Sequence, residues 1–171
     1  KFSDDSEIEV QVNSEFENKT NAEKIALIYL EEIGRLPKLF RKNLETVSIH
    51  KGYENFGGGN NNFVIHHDNG LELKKYGLLE EIFLHEGVHT SLDSDHRLSN
   101  AWINAQKSDN GNFISDYAKQ NPKREDLAET VPLCFALKYK RDRLSDDIIR
   151  KIEKAIPNRI EYCNSVFEKK K

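Results

Sequence analysis

Alternating apolar residues occur in this chain only before residue 75, and the segments after it repeat at helical periods. Strands first and helices after is the order of an α+β domain, and 171 residues suffice for one domain of that class. Ile8, Val10 and Val12 alternate with Glu9 and Gln11, and Val47 and Ile49 alternate with Thr46, Ser48 and His50. Phe63 to His67 reads as a further strand. Among these strands, the capping box Thr20-Asn21-Ala22-Glu23 opens a helix to about Gly34. Its buried stripe is Ile25, Ile28, Tyr29, Ile33 and Leu36, and Leu39, Phe40 and Leu44 suggest a short helix after Pro37. Gly57-Gly58-Gly59-Asn60-Asn61-Asn62 lacks the Lys-Ser/Thr of a phosphate-binding loop and reads as a flexible loop. Asp68-Asn69-Gly70 reads as a tight turn leading into Leu71-Glu72-Leu73.

From Tyr76 to Leu92 the period is helical, with Leu78, Ile82, His85, His89 and Leu92 on one face. A polar connector at Asp93–Asp95 precedes a helix from Arg97 to about Lys107. Pro122 is placed to start another, running to about Lys140 with Glu125 and Asp126 in its first turns and a kink at Pro132. Ser145 caps a helix carrying Ile148, Ile149, Ile152 and Ile156, and Pro157 starts the last one, with Ile160, Cys163 and Phe167. Lys169-Lys170-Lys171 is expected to be a solvated end.

Charge narrows the function classes. Twenty-six Lys and Arg against 29 Asp and Glu leave a net charge of −3, so nucleic acid is not an expected partner. No apolar run approaches the roughly 18–20 residues of a membrane helix, so membrane insertion is not expected either. Two cysteines, Cys134 and Cys163, allow buried thiols or one helix–helix bridge. The chain begins at Lys1 and holds no methionine, which fits a processed mature form. Asn18-Lys19-Thr20 fits a glycosylation sequon, more simply a chance match in an Asn-rich chain.

The segment that carries chemistry is His85-Glu86-Gly87-Val88-His89, an HExxH pattern inside a helical period. Residues i and i+4 lie about 40° apart around a helix, so both imidazoles can share one Zn²⁺. Glu86 is about 100° from His85, where it can take a proton from a metal-bound water and pass it to a leaving amine. A catalytic zinc needs a third protein ligand, and three residues are candidates: Asp95, His96 and Glu129. Asp95 has the spacing of the HExxHxxGxxH/D pattern, but Leu92 stands where that pattern has glycine. His96 is one residue off. Glu129 borders a face that becomes apolar toward Leu133 and Ala136, and a carboxylate there needs a partner.

Phe113-Ile114-Ser115-Asp116-Tyr117-Ala118, Asn121-Pro122 and Glu125-Asp126-Leu127-Ala128-Glu129 together resemble the downstream zinc-ligand segment of gluzincin-type peptidases. The likeness is to compact relatives of the anthrax lethal factor catalytic domain and spans about residues 76–140. It implies Glu129 as third zinc ligand, with Glu125 and Asp126 as supporting or capping residues. It also implies an oxyanion hydroxyl from a tyrosine before the glutamate helix. The nearest, Tyr117, lies twelve residues before Glu129 (129 − 117) and competes with a plain packing role. Asp93, Asp95 and His96 could orient the ring N–H groups of His85 or His89. His66 and His67 could touch substrate, although solvent-facing rings are the simpler expectation, as for His50.

These readings combine into one expectation. The fold class is α+β and zincin-like, one catalytic domain over residues 1–171. A small mixed sheet and an N-terminal helix above the HExxH helix make an upper lobe to about residue 92, and a helical C-terminal lobe follows. The expected function is a secreted, monomeric zinc endopeptidase acting on peptide or protein substrates. Its metal ligands are His85, His89 and Glu129, its cofactor Zn²⁺, its general base Glu86 and its oxyanion donor Tyr117. A substrate strand is expected along an edge such as Phe63–His67. The alternative is a zinc-binding interaction module of the same fold without turnover, or a site completed by Asp95.

Overall fold

Every strand of the computed structural model lies in the first of two compact units, Lys1–Ser91, and the second begins at Leu92. Residues 1–168 are described, so the Lys169–Lys171 end lies outside them. The result is an α+β chain with a small mixed sheet. Its strands are β1 (Glu9–Val12), β2 (Thr46–His50), β3 (Gly57–Gly59) and β4 (Asn62–His66), in the order β1-β2-β4-β3. β1 with β2 and β2 with β4 are parallel, and β3 is antiparallel to β4. Val47 pairs with Phe63 and Ile49 with Ile65. All four are buried, as alternate residues on one face must be when helices cover it.

Three helices belong to this unit: α1 (Lys19–Arg35), α2 (His67–Lys75) and α3 (Leu79–Ser91). Ile25, Ala26, Tyr29 and Ile33 of α1 are buried, matching the expected stripe except at half-buried Ile28. The cap is Asn18, not Thr20: its Oδ1 accepts the Asn21 N–H at 3.0 Å. The residues after Pro37 make only a 3₁₀ turn, Lys38–Phe40.

Three local readings are corrected here. The triglycine is not loop but the antiparallel edge strand β3, joined to β4 through Asn60 and Asn61, both at positive φ. Asp68-Asn69-Gly70 is not a hairpin turn but the first turn of α2. The Asp68 and Asn69 N–H groups donate to the Gly52 carbonyl, and Asp68 Oδ2 accepts the Gly52 N–H at 2.9 Å. Gly70 serves packing: a Cβ there would lie 2.3 Å from the Tyr29 hydroxyl. Finally, β4 is an interior strand, so the segment expected to receive a substrate strand is already paired on both sides. The free edges belong to β1 and β3.

The described residues of the second unit form helices and connecting turns, with no strand among them. The unit contains a π-helical turn (Asp93–Arg97) in place of the expected polar connector, then α4 (Asn100–Ser108) and α5 (Asp116–Gln120). α6 (Asp126–Tyr139), α7 (Asp146–Ala155) and α8 (Pro157–Glu168) follow. α4 starts at Asn100 behind the Ser99 cap, three residues later than expected at Arg97, and Pro122–Arg124 turn before α6 instead of opening it. Ser145 caps α7 and Pro157 starts α8, as the sequence predicts. One apolar cluster joins Leu137 of α6 to Ile149, Ile152 and Ile156.

Arg159 of α8 is fully buried. Its Nε donates to Asp109 Oδ2 at 2.8 Å, a second nitrogen reaches Asp126, a third the Asn112 carbonyl, and the guanidinium lies over the Phe113 ring. Cys134 and Cys163 are buried free thiols. Among the described residues, no helix is long and apolar enough to cross a membrane.

Candidate metal centre

α3 sorts its residues by face. Leu79, Phe83, Leu84 and Val88 are buried, and Phe83 stacks on Phe63 of the sheet at 5.7 Å between ring centroids. His85 and His89 are half-buried, on a different stripe. The face expected to carry both histidines with Leu78, Ile82 and Leu92 is unevenly covered: Leu78 is exposed, Ile82 half-buried and Leu92 buried. Two polar rings on a half-open face can accept a ligand without breaking the core. Their centroids lie 5.0 Å apart with planes at 75°, as the i, i+4 spacing requires. Glu86, between them in sequence, is 8% exposed and held on the inner side of the helix.

Among the described residues, one group of side chains has the composition and proximity to hold a metal ion: His85, His89 and Glu125. Each offers one ligand atom, and the three atoms all lie within 4.8 Å of one another. Two imidazoles and a carboxylate are a suitable donor set for zinc and for other first-row ions. The donors fit a metal; they do not identify it.

Glu125, expected only as a supporting or capping residue, thus stands in the group where Glu129 was expected. Glu125 is buried, and its N–H donates to the Asn121 carbonyl at 2.8 Å. Arg124 Nε donates to its Oε1 at 3.0 Å. Glu129 is half-buried one turn later, and its Oε2 accepts the Ser115 hydroxyl at 2.7 Å. Ser115 also caps α5, receiving the Ala118 N–H at 3.0 Å. Glu129 is thereby engaged in fixing the segment that carries Tyr117.

Tyr117 is 52% exposed, but its hydroxyl lies toward Glu125 and Glu129. Partial desolvation first, then the Glu125 carboxylate, raise the phenol above its ordinary value. At neutral pH it stays a neutral donor. Counted to Glu125, Tyr117 is eight residues upstream (125 − 117), closer than the twelve that separate it from Glu129.

The two other candidates for the third ligand, Asp95 and His96 on the π-helical turn, are outside the group. The His96 ring Nδ1 is 2.7 Å from the Tyr162 hydroxyl, and Asp93 is 3.8 Å from Arg97. His66 Nδ1 is 3.1 Å from the Asn55 carbonyl. His67 is not solvent-facing: as the first residue of α2 it packs edge-on to Phe16 and Tyr29, with Nδ1 2.8 Å from the Tyr29 hydroxyl. Burial lowers its pKa, partly offset by Asp68. His50 Nδ1 is 3.1 Å from Asn13 Nδ2. No protein-family model, curated protein or solved structure matches the chain.

Proposed function

We propose that this chain is a zinc-dependent endopeptidase with a zincin-like fold, similar in its site to gluzincin-type peptidases. The observation that carries the reading is the convergence of His85, His89 and Glu125, two of them from an HExxH segment that is helical. A bound zinc would polarise the scissile carbonyl and lower the pKa of its water. Glu86 accepts the proton of the attacking water as its oxygen bonds to the carbonyl carbon. It returns that proton to the nitrogen as the C–N bond breaks. Tyr117, kept neutral beside Glu125, donates to the developing oxyanion. An extended peptide pairs along the free edge of β3, whose glycines present backbone groups and no side chains, so backbone hydrogen bonds dominate its capture.

The experiment is hydrolysis of a broad peptide library by the zinc-loaded protein and its Glu86→Gln variant. The variant should bind zinc as the wild type does and lose at least about 100-fold in kcat. Stoichiometric zinc with no cleavage by wild type would instead establish a zinc-binding module without turnover.

A further inference from the structure

Gly58 lies where the edge of the sheet meets the helix that carries Glu86. A Cβ added to it would be 2.4 Å from the Glu86 carbonyl oxygen and 2.9 Å from the Glu86 Cα and carbonyl carbon. These are backbone atoms, which cannot rotate aside. One residue on, the Gly59 N–H donates to Thr90 Oγ1 at 2.9 Å. The Thr90 hydroxyl donates at 3.4 Å to the carbonyl of Asn62, the residue paired with Gly59 across the sheet. The edge strand therefore packs directly on the α3 backbone at Glu86 and is hydrogen-bonded to α3 beside His89. Gly87 meets a second backbone: its Cβ would be 2.6 Å from the Phe40 carbonyl oxygen. The helix is seated against backbone at two consecutive residues.

We propose that Gly58 and Thr90 are positioning residues, which set the distance between a peptide paired along β3 and the general base Glu86. The proposal rests on the peptidase reading above. Neither residue touches reacting atoms; both act through where they hold the sheet edge. The neighbouring glycine shows that the requirement is local. A Cβ at Gly57 would meet Val64 Cβ at 3.8 Å, ordinary contact distance. Alanine at Gly58 must lift the edge from the helix, and misplacement by about 1 Å can cost roughly 100-fold in rate.

The test compares Gly58→Ala, Gly57→Ala, Thr90→Val and Thr90→Ser. It reads zinc affinity, kcat and KM separately, and exchange of the Gly59 amide by NMR. Gly58→Ala should bind zinc normally, lose about 100-fold in kcat and exchange the Gly59 amide faster. Its kcat loss should exceed that of Gly57→Ala by at least about tenfold. Thr90→Val should lose kcat and amide protection together, and Thr90→Ser, which keeps the hydroxyl, should recover both. This pair decides the matter even where Gly58→Ala fails to fold. Wild-type kcat in Gly58→Ala, or equal losses in Thr90→Ser and Thr90→Val, overturns the proposal. Unchanged Gly59 exchange in Gly58→Ala and Thr90→Val overturns the fastening itself, whatever the activity. A zinc-loaded wild type that cleaves nothing, with the exchange pattern as expected, removes the peptidase reading and the catalytic half of the proposal, while the fastening is upheld.

Discussion

Glu125 is presented by the turn that precedes α6, its N–H tied to the Asn121 carbonyl and its own carbonyl accepting the Glu129 N–H at 2.8 Å. A carboxylate with both backbone groups engaged approaches a ligand with little freedom left to lose. Replacing Glu125 by alanine should therefore weaken zinc binding by more than the roughly 10–100-fold typical of residues outside the ligand set. Glu129→Gln should cost less than Glu125→Ala; competition with a chromogenic chelator measures both. A larger loss in Glu129→Gln would return the ligand role to Glu129. Tyr117→Phe removes the hydroxyl alone, so it should leave zinc affinity intact and lower kcat by about 100-fold or more. Loss of zinc affinity in Tyr117→Phe would make the tyrosine a support for Glu125 instead. The i, i+4 histidines could be read directly, because helix geometry alone brings them together. The choice between Glu125 and Glu129 could not. It depends on where α6 begins, and Pro122 suggests a helix start four residues before the observed one at Asp126.

At the scale of elements, the legible signals were those confined to one turn of chain. The Ser145 cap and the Pro157 start are of this kind: Ser145 Oγ accepts the Ile148 N–H at 3.3 Å. Signals that depend on distant partners were misread. Asp68-Asn69-Gly70 has the composition of a tight turn, yet Gly70 is required by the hydroxyl of Tyr29 on another helix. Gly70→Ala should destabilise the chain by about 1–3 kcal/mol through overpacking, measured by denaturant unfolding. If its stability matches wild type, the Tyr29 contact does not constrain α2. The triglycine likewise needs α3 beside it to become a strand. In the second unit, Arg159 organises α4, α6 and α8 through Asp109 and Asp126, and its loss leaves two buried carboxylates uncompensated. Arg159→Ala should cost about 3–5 kcal/mol by the same measurement, and a cost under about 1 kcal/mol would show the pair to be incidental.

For the whole molecule, two groups give stability a common dependence on pH. Hydrogen bonds from Ser6, then the Arg41 guanidinium, hold Asp4 well below its ordinary value of 3.8. Arg41 also donates to the Leu36 carbonyl at 3.1 Å, so this pair ties the N-terminal segment to the first unit. A carboxylate with a lowered folded pKa contributes stability above its unfolded value and loses it as pH falls through the folded one. His67, lowered from 6.5 by burial, favours its neutral form when folded; its contribution is present above 6.5 and is lost on acidification. Both contributions therefore weaken toward acid, His67 first and Asp4 at lower pH. Denaturant midpoints between pH 8 and pH 2 should fall in that order, with His67→Gln flattening the upper step and Asp4→Asn the decline below pH 3.8. A profile unchanged by either substitution would remove both assignments.

Cys134 and Cys163 are each 1% exposed, and burial raises the Cys163 thiol well above its ordinary range. The folded chain has no other cysteine, so its outer surface carries no reactive sulfur. A colorimetric thiol reagent added to the native protein can react only as fast as the helices around α6 and α8 part, which makes the cysteines a built-in clock for opening of the second unit. The same concealment means that one cysteine introduced at an exposed position would be the sole fast-reacting handle for a dye or spin label, with no native residue first removed.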